Sequence, residues 1–216
     1  MRKSSFLTFL VFVGIVQLSI LQVSGQQTQS TPPRKYFRLA DTLREIGNKF
    51  DCYFTIETSL VAGDHLTSIE TQTVPLTIKH KKLKKALEQL RKEVPNLTYR
   101  VNEEIPKIIH IIDTRLLNQK DYAMEKILDE FSFDGVNHKM VAAIAKKGVN
   151  ISVFGPLSTT DLLVVDFRTV NSVNEKNRSV REIVTKFVLL KERSRVLWTA
   201  LTDLGENQVT YLRFWS

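Results

Sequence analysis

Cysteine is almost absent. Cys52 is the only one in 216 residues, so no disulfide can form within the chain and its fold must rest on an apolar core. Glycine is scarce at eight. The chain has no G-x-G-x-x-G, no phosphate loop and no G-x-S-x-G, which excludes the common dinucleotide, nucleotide and hydrolase signatures. The four histidines, His65, His80, His110 and His138, stand apart, with no H-x-H, no H-E-x-x-H and no Cys/His pair at ligand spacing. No metal and no cofactor is therefore expected. Adjacent carboxylates occur at Glu103-Glu104 and Asp129-Glu130, but neighbours on a strand face opposite sides and form no acid/base couple. No residue is singled out as catalytic, and the chain reads as a non-enzyme.

Long apolar runs are missing too, with one exception. Phe6 to Ile20 is apolar, preceded by Arg2 and Lys3 and followed by Val23-Ser24-Gly25. This is the pattern of a secretory signal peptide over residues 1–25. An uncleaved membrane anchor is the competing reading. No other segment is long and apolar enough to span a bilayer. Residues 26–34, Q-Q-T-Q-S-T-P-P-R, read as a flexible linker. The net charge of +8 becomes +6 without Arg2 and Lys3, a modest excess that favours acidic partners and identifies none.

What is present is periodicity. Leu83, Ala86, Leu87, Leu90 and Val94 recur at helical spacing and predict a helix over 82–94, closed by Pro95. Leu97, Tyr99 and Val101 alternate with polar residues as a half-buried strand. Ile108 to Ile112 is apolar on both faces except at His110, which predicts a central strand and a structural histidine. Upstream, Leu39, Leu43, Ile46 and Phe50 predict a helix over 39–50, and Asp51 to Glu57 a strand. Cys52 there reads as a packing thiol. The second half repeats the order. It has a strand from Ile127, a helix face from Val136 to Lys147 stopped by Gly148, and a strand through Val149, Ile151 and Val153. Another strand is expected over Leu163 to Val170. Ser179-Val-Arg-Glu182 has the form of a capping box opening a helix. Paired strands at Arg195–Leu201 and Gln208–Trp215 close the chain. The fold class is α+β, small mixed sheets packed with amphipathic helices, with a βαββαββ pattern occurring twice. Two domains are expected, 35–116 and 122–216.

The stretches L39-A-D-T-L-R-E-I-G-N-K-F-D-C-Y-F-T-I-E57 and L76-T-I-K-H-K-K-L-K-K-A-L-E-Q-L-R-K-E-V-P-N-L-T-Y-R-V101, with I108-I-H-I-I-D113 behind them, resemble the secretin and TonB short N-terminal domain. The likeness covers residues 35–114 and extends more loosely to 125–215. It implies two helices between two small sheets, and a protein-binding module exported to the periplasm or exterior of a bacterial cell.

One charge feature stands out. Lys79, Lys81, Lys82, Lys84 and Lys85 crowd the start of a helix, where the macrodipole disfavours positive charge. They read as a solvated face or as a patch for an anionic partner. Three functions follow in order: a protein–protein interaction module whose partner is another envelope protein, a peripheral binder of anionic surface polymer or lipid headgroups, and an enzyme with a dispersed site. Nucleic acid is not expected, because no aromatic residue interleaves the lysines.

Overall fold

The computed structural model describes residues 36–60, 68–75, 80–154, 171–189, 194–205 and 208–215. The expected signal peptide, linker and strand at 163–170 lie outside the described residues, as does Lys79. Among the described residues, no helix is long and apolar enough to cross a membrane.

The first half runs β1 (Tyr36–Arg38), α1 (Leu39–Phe50), β2 (Tyr53–Leu60), β3 (Thr73–Pro75), α2 (Leu83–Glu93), β4 (Leu97–Val101) and β5 (Ile108–Asp113). The second runs β6 (Ile127–Gly135), α3 (Asn137–Lys146), β7 (Ile151–Val153), β8 (Asn171–Ser179), α4 (Val180–Leu189), β9 (Val196–Asp203) and β10 (Thr210–Phe214). The α+β class and the doubled βαββαββ order follow directly. Local chemistry sets the boundaries. Asp51 takes a left-handed conformation (φ 52°) and its N–H donates to the Gly47 carbonyl, ending α1. Gly148 does the same service after α3 at φ 77°. The capping box of α4 is formed: Ser179 N–H and Oγ both donate to Glu182 Oε2 at 2.9 Å, and the Glu182 N–H donates to Ser179 Oγ.

Six strands form one mixed sheet in the order β4-β5-β2-β9-β10-β7. The pairs β2/β5, β2/β9 and β7/β10 are parallel, and β4/β5 and β9/β10 antiparallel. Of the two stretches expected as domains, 35–116 and 122–216, each supplies three strands to this sheet, and Tyr36–Ser216 forms one compact unit. The cause lies in β2. Its residues from Phe54 to Ser59 are buried whichever face they point to, so the strand needs cover on both sides and an edge partner as well.

That cover comes from both halves. Phe54, Ile56, Ile109 and Ile111 pack with Leu39, Leu43 and Ile46 of α1 and Leu87 and Leu90 of α2. On the other face, Ile108, Trp198, Ala200 and Leu212 pack with Ile144 of α3 and with Val184 and Phe187 of α4. Each fully buried side chain of this size contributes roughly 1.5–3 kcal/mol. Two antiparallel pairs stand apart from the main sheet, β1 with β3 and β6 with β8. Along β6 the expected alternation from Ile127 breaks. Leu128 and Phe131 are buried while Ile127 is 55% exposed, and Asn177 on the facing strand adopts φ 53°, which twists the ladder there.

Candidate functional site

Two features compete as a site: a buried cluster of ionisable groups between the sheet and α4, and the lysine face at the start of α2.

The cluster is built on Glu57. Phe54 and Ile56 turn toward α1, so Thr55 and Glu57 turn the opposite way, onto the face covered by α4. Glu57 is wholly buried. Arg181, in the first turn of α4, donates from Nε to Glu57 Oε1 at 2.5 Å and from its terminal nitrogen to Oε2 at 2.7 Å. Tyr122 Oη donates to Oε2 at 2.6 Å. The second terminal nitrogen of Arg181 lies 2.9 Å from Glu125, which is half-exposed. Burial by itself would raise the pKa of Glu57; the Arg181 charge and its hydrogen bonds overcome that and hold it below the ordinary value. Burial and the facing carboxylate push the Tyr122 phenol well above its usual range.

His110 sits across the β2/β5 ladder from Thr55. Its Nδ1 is 2.8 Å from Thr55 Oγ1 and its Nε2 is 3.1 Å from Asn102 Nδ2. Asn102 Oδ1 already accepts the N–H groups of Glu104 and Ile105, so its amide nitrogen faces the ring as a donor. Nε2 is then an acceptor, and Nδ1 carries the proton that bonds Thr55. Burial pulls the pKa of this imidazole down to about 4, so it is neutral at physiological pH. The structural histidine expected here takes this form.

Asp113, at the end of β5, is held the same way. Ser59 Oγ donates to it at 2.7 Å and Arg115 grips both oxygens, at 2.6 Å for the shortest. Burial raises its pKa, and the bonds from Arg115 and Ser59 lower it further than burial raises it. Each of these groups is consumed by a partner inside the protein. Chemically the arrangement joins strand to helix; no acid, base or nucleophile is left free among Glu57, His110 and Asp113. Cys52 is 2% exposed and its thiol is pushed up to about 11 by burial, as a packing thiol should be. No group of three or more His, Cys, Asp or Glu able to hold a metal occurs among the described residues.

The lysine face is different in kind. Lys81 and Lys82 precede α2 and Lys84 and Lys85 lie in its first turn, all four exposed. The structure therefore groups four of the five lysines singled out from the sequence. No acidic residue occupies that turn. Sequence reasoning missed the Glu57–Arg181 pair, because Glu57 alternates with Phe54 and Ile56 as a solvent-facing residue would. Arg181 gave no signal either, since Val180 to Val188 also carries Glu182 and Lys186 and reads as an ordinary amphipathic helix.

A family model described as ChAPs (Chs5p-Arf1p-binding proteins) matches residues 13–160, more than half of the chain. No curated protein and no solved structure matches. The family match overturns the expected kinship with the secretin and TonB short N-terminal domain, whose likeness at 35–114 falls wholly inside the matched span. It rested on the periods of helices and strands, which mark the order of elements without fixing ancestry. The expected bacterial, exported location falls with it, since the family is one of fungal trafficking proteins of the cytoplasm and Golgi. The match also begins inside the run read as a secretory signal. A role in binding other proteins agrees with that description. With residues 13–160 under the match, the chain belongs to the ChAPs family, the Chs5p-Arf1p-binding proteins.

Proposed function

We propose that this chain is a non-catalytic adaptor that works by holding a protein partner. The family description carries the reading: it names Chs5p and Arf1p as the proteins bound, and those are the partners to test. The chemistry of the interior agrees, because Glu57, His110 and Asp113 are each occupied by internal partners and none is poised for turnover.

The lysine face at Lys81, Lys82, Lys84 and Lys85, continued in sequence by Lys79, supplies the selective part of the contact. Four exposed ammonium groups at a helix N-terminus raise the local potential and attract an acidic protein surface. Titration of the full chain with purified Arf1p and purified Chs5p, measured by calorimetry, tests this. Binding to either one, weakened about tenfold or more by replacing all four lysines with Gln and weakened by salt, is the expected result. Binding of neither protein, with strong lysine-dependent binding to anionic lipid vesicles instead, would replace the adaptor reading with a membrane-surface one.

A further inference from the structure

The two halves share more than an order of elements. The first contributes β4-β5-β2 to the sheet and the second β9-β10-β7, with the same parallel and antiparallel pairs inside each trio. Because β2 and β9 are parallel, every strand of the second trio runs opposite to its counterpart in the first. Its helices also cover the opposite face. A half-turn about an axis running across the strands, with a shift of three strands or about 14 Å, converts one half into the other. An operation of that type is head-to-tail and does not close on itself.

Inside the chain it is used once, at β2/β9. Among the described residues, the six-stranded sheet has two edges without a ladder, the outer edges of β4 and β7. By the same operation β4 is the counterpart of β9, and β7 of β2. The edge of β4 is chemically open. Asn102 donates to the Ile108 carbonyl on the β5 side, so the even-numbered residues bond β5, and the N–H and C=O of Tyr99 and Val101 point outward. Among the described residues four large hydrophobic side chains are exposed, and two of them sit on these edges: Val101 and Phe154, each at 45%. Phe154 extends β7, its N–H donating to the Leu212 carbonyl at 2.9 Å.

The ladders give the register. Asp51 and Gly148 are the two left-handed helix stops, so Phe54 corresponds to Ile151 and Glu57 to Phe154. Ile111 lies between Ile56 and Tyr99, and Leu212 between Val153 and Ala200, so Tyr99 corresponds to Ala200. Glu57 faces Ala200 at the internal junction. The matching partner of Phe154 is then Tyr99 of another molecule.

We infer that a second copy of this chain adds its β4 edge, parallel, to the β7 edge of the first, with Phe154 opposite the second copy's Tyr99. Repetition gives open linear assemblies. The contact puts an aromatic pair across the new ladder and places Val101 two residues further on the same face, covering the two exposed apolar edges in one step.

The test uses full-length chains. A Tyr99→Cys variant and a Phe154→Cys variant are purified separately, mixed and oxidised, with wild-type chain followed by sedimentation from about 10 μM to 1 mM, where weak contacts populate. Cys52, buried with a raised pKa, stays out of the reaction. The expected result is a disulfide-linked dimer containing one of each variant, absent when either is oxidised alone, and a wild-type mass that rises with concentration past dimer. A Phe154→Asp chain loses the ring's contacts with Tyr211 and Arg213 and should stay monomeric while still melting cooperatively. A wild-type monomer throughout the range, equal cross-linking within a single variant, or assembly that survives Phe154→Asp would each overturn the inference.

Discussion

Arg181 and Glu57 are 124 residues apart in sequence, yet they meet through two hydrogen bonds of 2.5 and 2.7 Å at a place with almost no solvent. One belongs to the last helix and the other to the second strand, so this pair pins the halves together across the sheet. Replacing Arg181 with Leu leaves a buried carboxylate with only Tyr122 to bond it. A loss of about 3–5 kcal/mol in unfolding free energy is expected. Replacing Glu57, Tyr122 and Arg181 together with Leu, Phe and Leu removes the charge and its partners at once and should recover most of that loss. Urea denaturation of the two variants reads the difference; equal losses in both would mean that the pair is not what the helix answers to.

The elements were legible where the information is local. The stripe Leu39, Leu43, Ile46 marks α1 without reference to anything distant, and the burial of all three in the structure follows. Gly148 as a helix stop is equally local, whereas Asp51, read as the first residue of a strand, is the left-handed cap of α1. Glu57 was not legible, because its environment is made by α4, and nothing near it in sequence announces that cover. The single sheet was hidden for the same reason: periodicity shows that β2 and β9 are strands, whereas their pairing depends on the relative placement of the halves. The lysine face could be read from spacing alone, since exposed residues at the start of a helix need no partner to be placed there. Kinship could not, because apolar periods are shared by many small α+β proteins of different descent.

His110 sets a pH dependence of defined sign. Its folded pKa is drawn down to about 4 by burial, against an ordinary value near 6.5 in the unfolded chain. Between those values the unfolded chain binds a proton that the folded chain does not. Stability is therefore complete above about pH 6.5 and falls as pH drops toward 4, by roughly 3 kcal/mol in all. The depressed carboxylates Glu57 and Asp113 begin to lose their contribution only as pH falls through their ordinary values of 4.5 and 3.8, so above about pH 5 the histidine acts without them. In His110→Phe the His110 part of the slope, read between pH 6.5 and about 5, should vanish, and an imidazole proton shift followed by NMR should titrate near 4 in the native chain. A titration midpoint near 6.5 would mean that the ring reaches water.

Cys52 offers a check on the packing beneath β2. With its thiol pushed up to about 11 by burial, about one molecule in a thousand carries the thiolate at pH 8. Native chain should react with a thiol reagent only at the rate at which it unfolds, while chain in denaturant reacts at once. Rapid labelling of the native state would show that α1 opens from the sheet without global unfolding.

Gly47 tests how closely α1 must approach that sheet. A Cβ on this residue would lie 2.7 Å from the Cys52 carbonyl oxygen and 2.8 Å from Arg195 Cβ, nearer than real Cβ atoms come. Alanine is worth about 1 kcal/mol more than glycine in a helix interior, so propensity alone predicts a gain from Gly47→Ala. Overpacking costs about 1–3 kcal/mol, and here one obstacle is a backbone oxygen fixed by the turn into β2. The net expectation is destabilisation, with a lower denaturation midpoint and an unchanged m-value. Adding Arg195→Gly removes one of the two clashes and should return only part of the loss, because the Cys52 carbonyl stays where it is. Full recovery in the double variant would place the whole obstruction in the arginine side chain, and a stabilised single variant would show that α1 has room to lift.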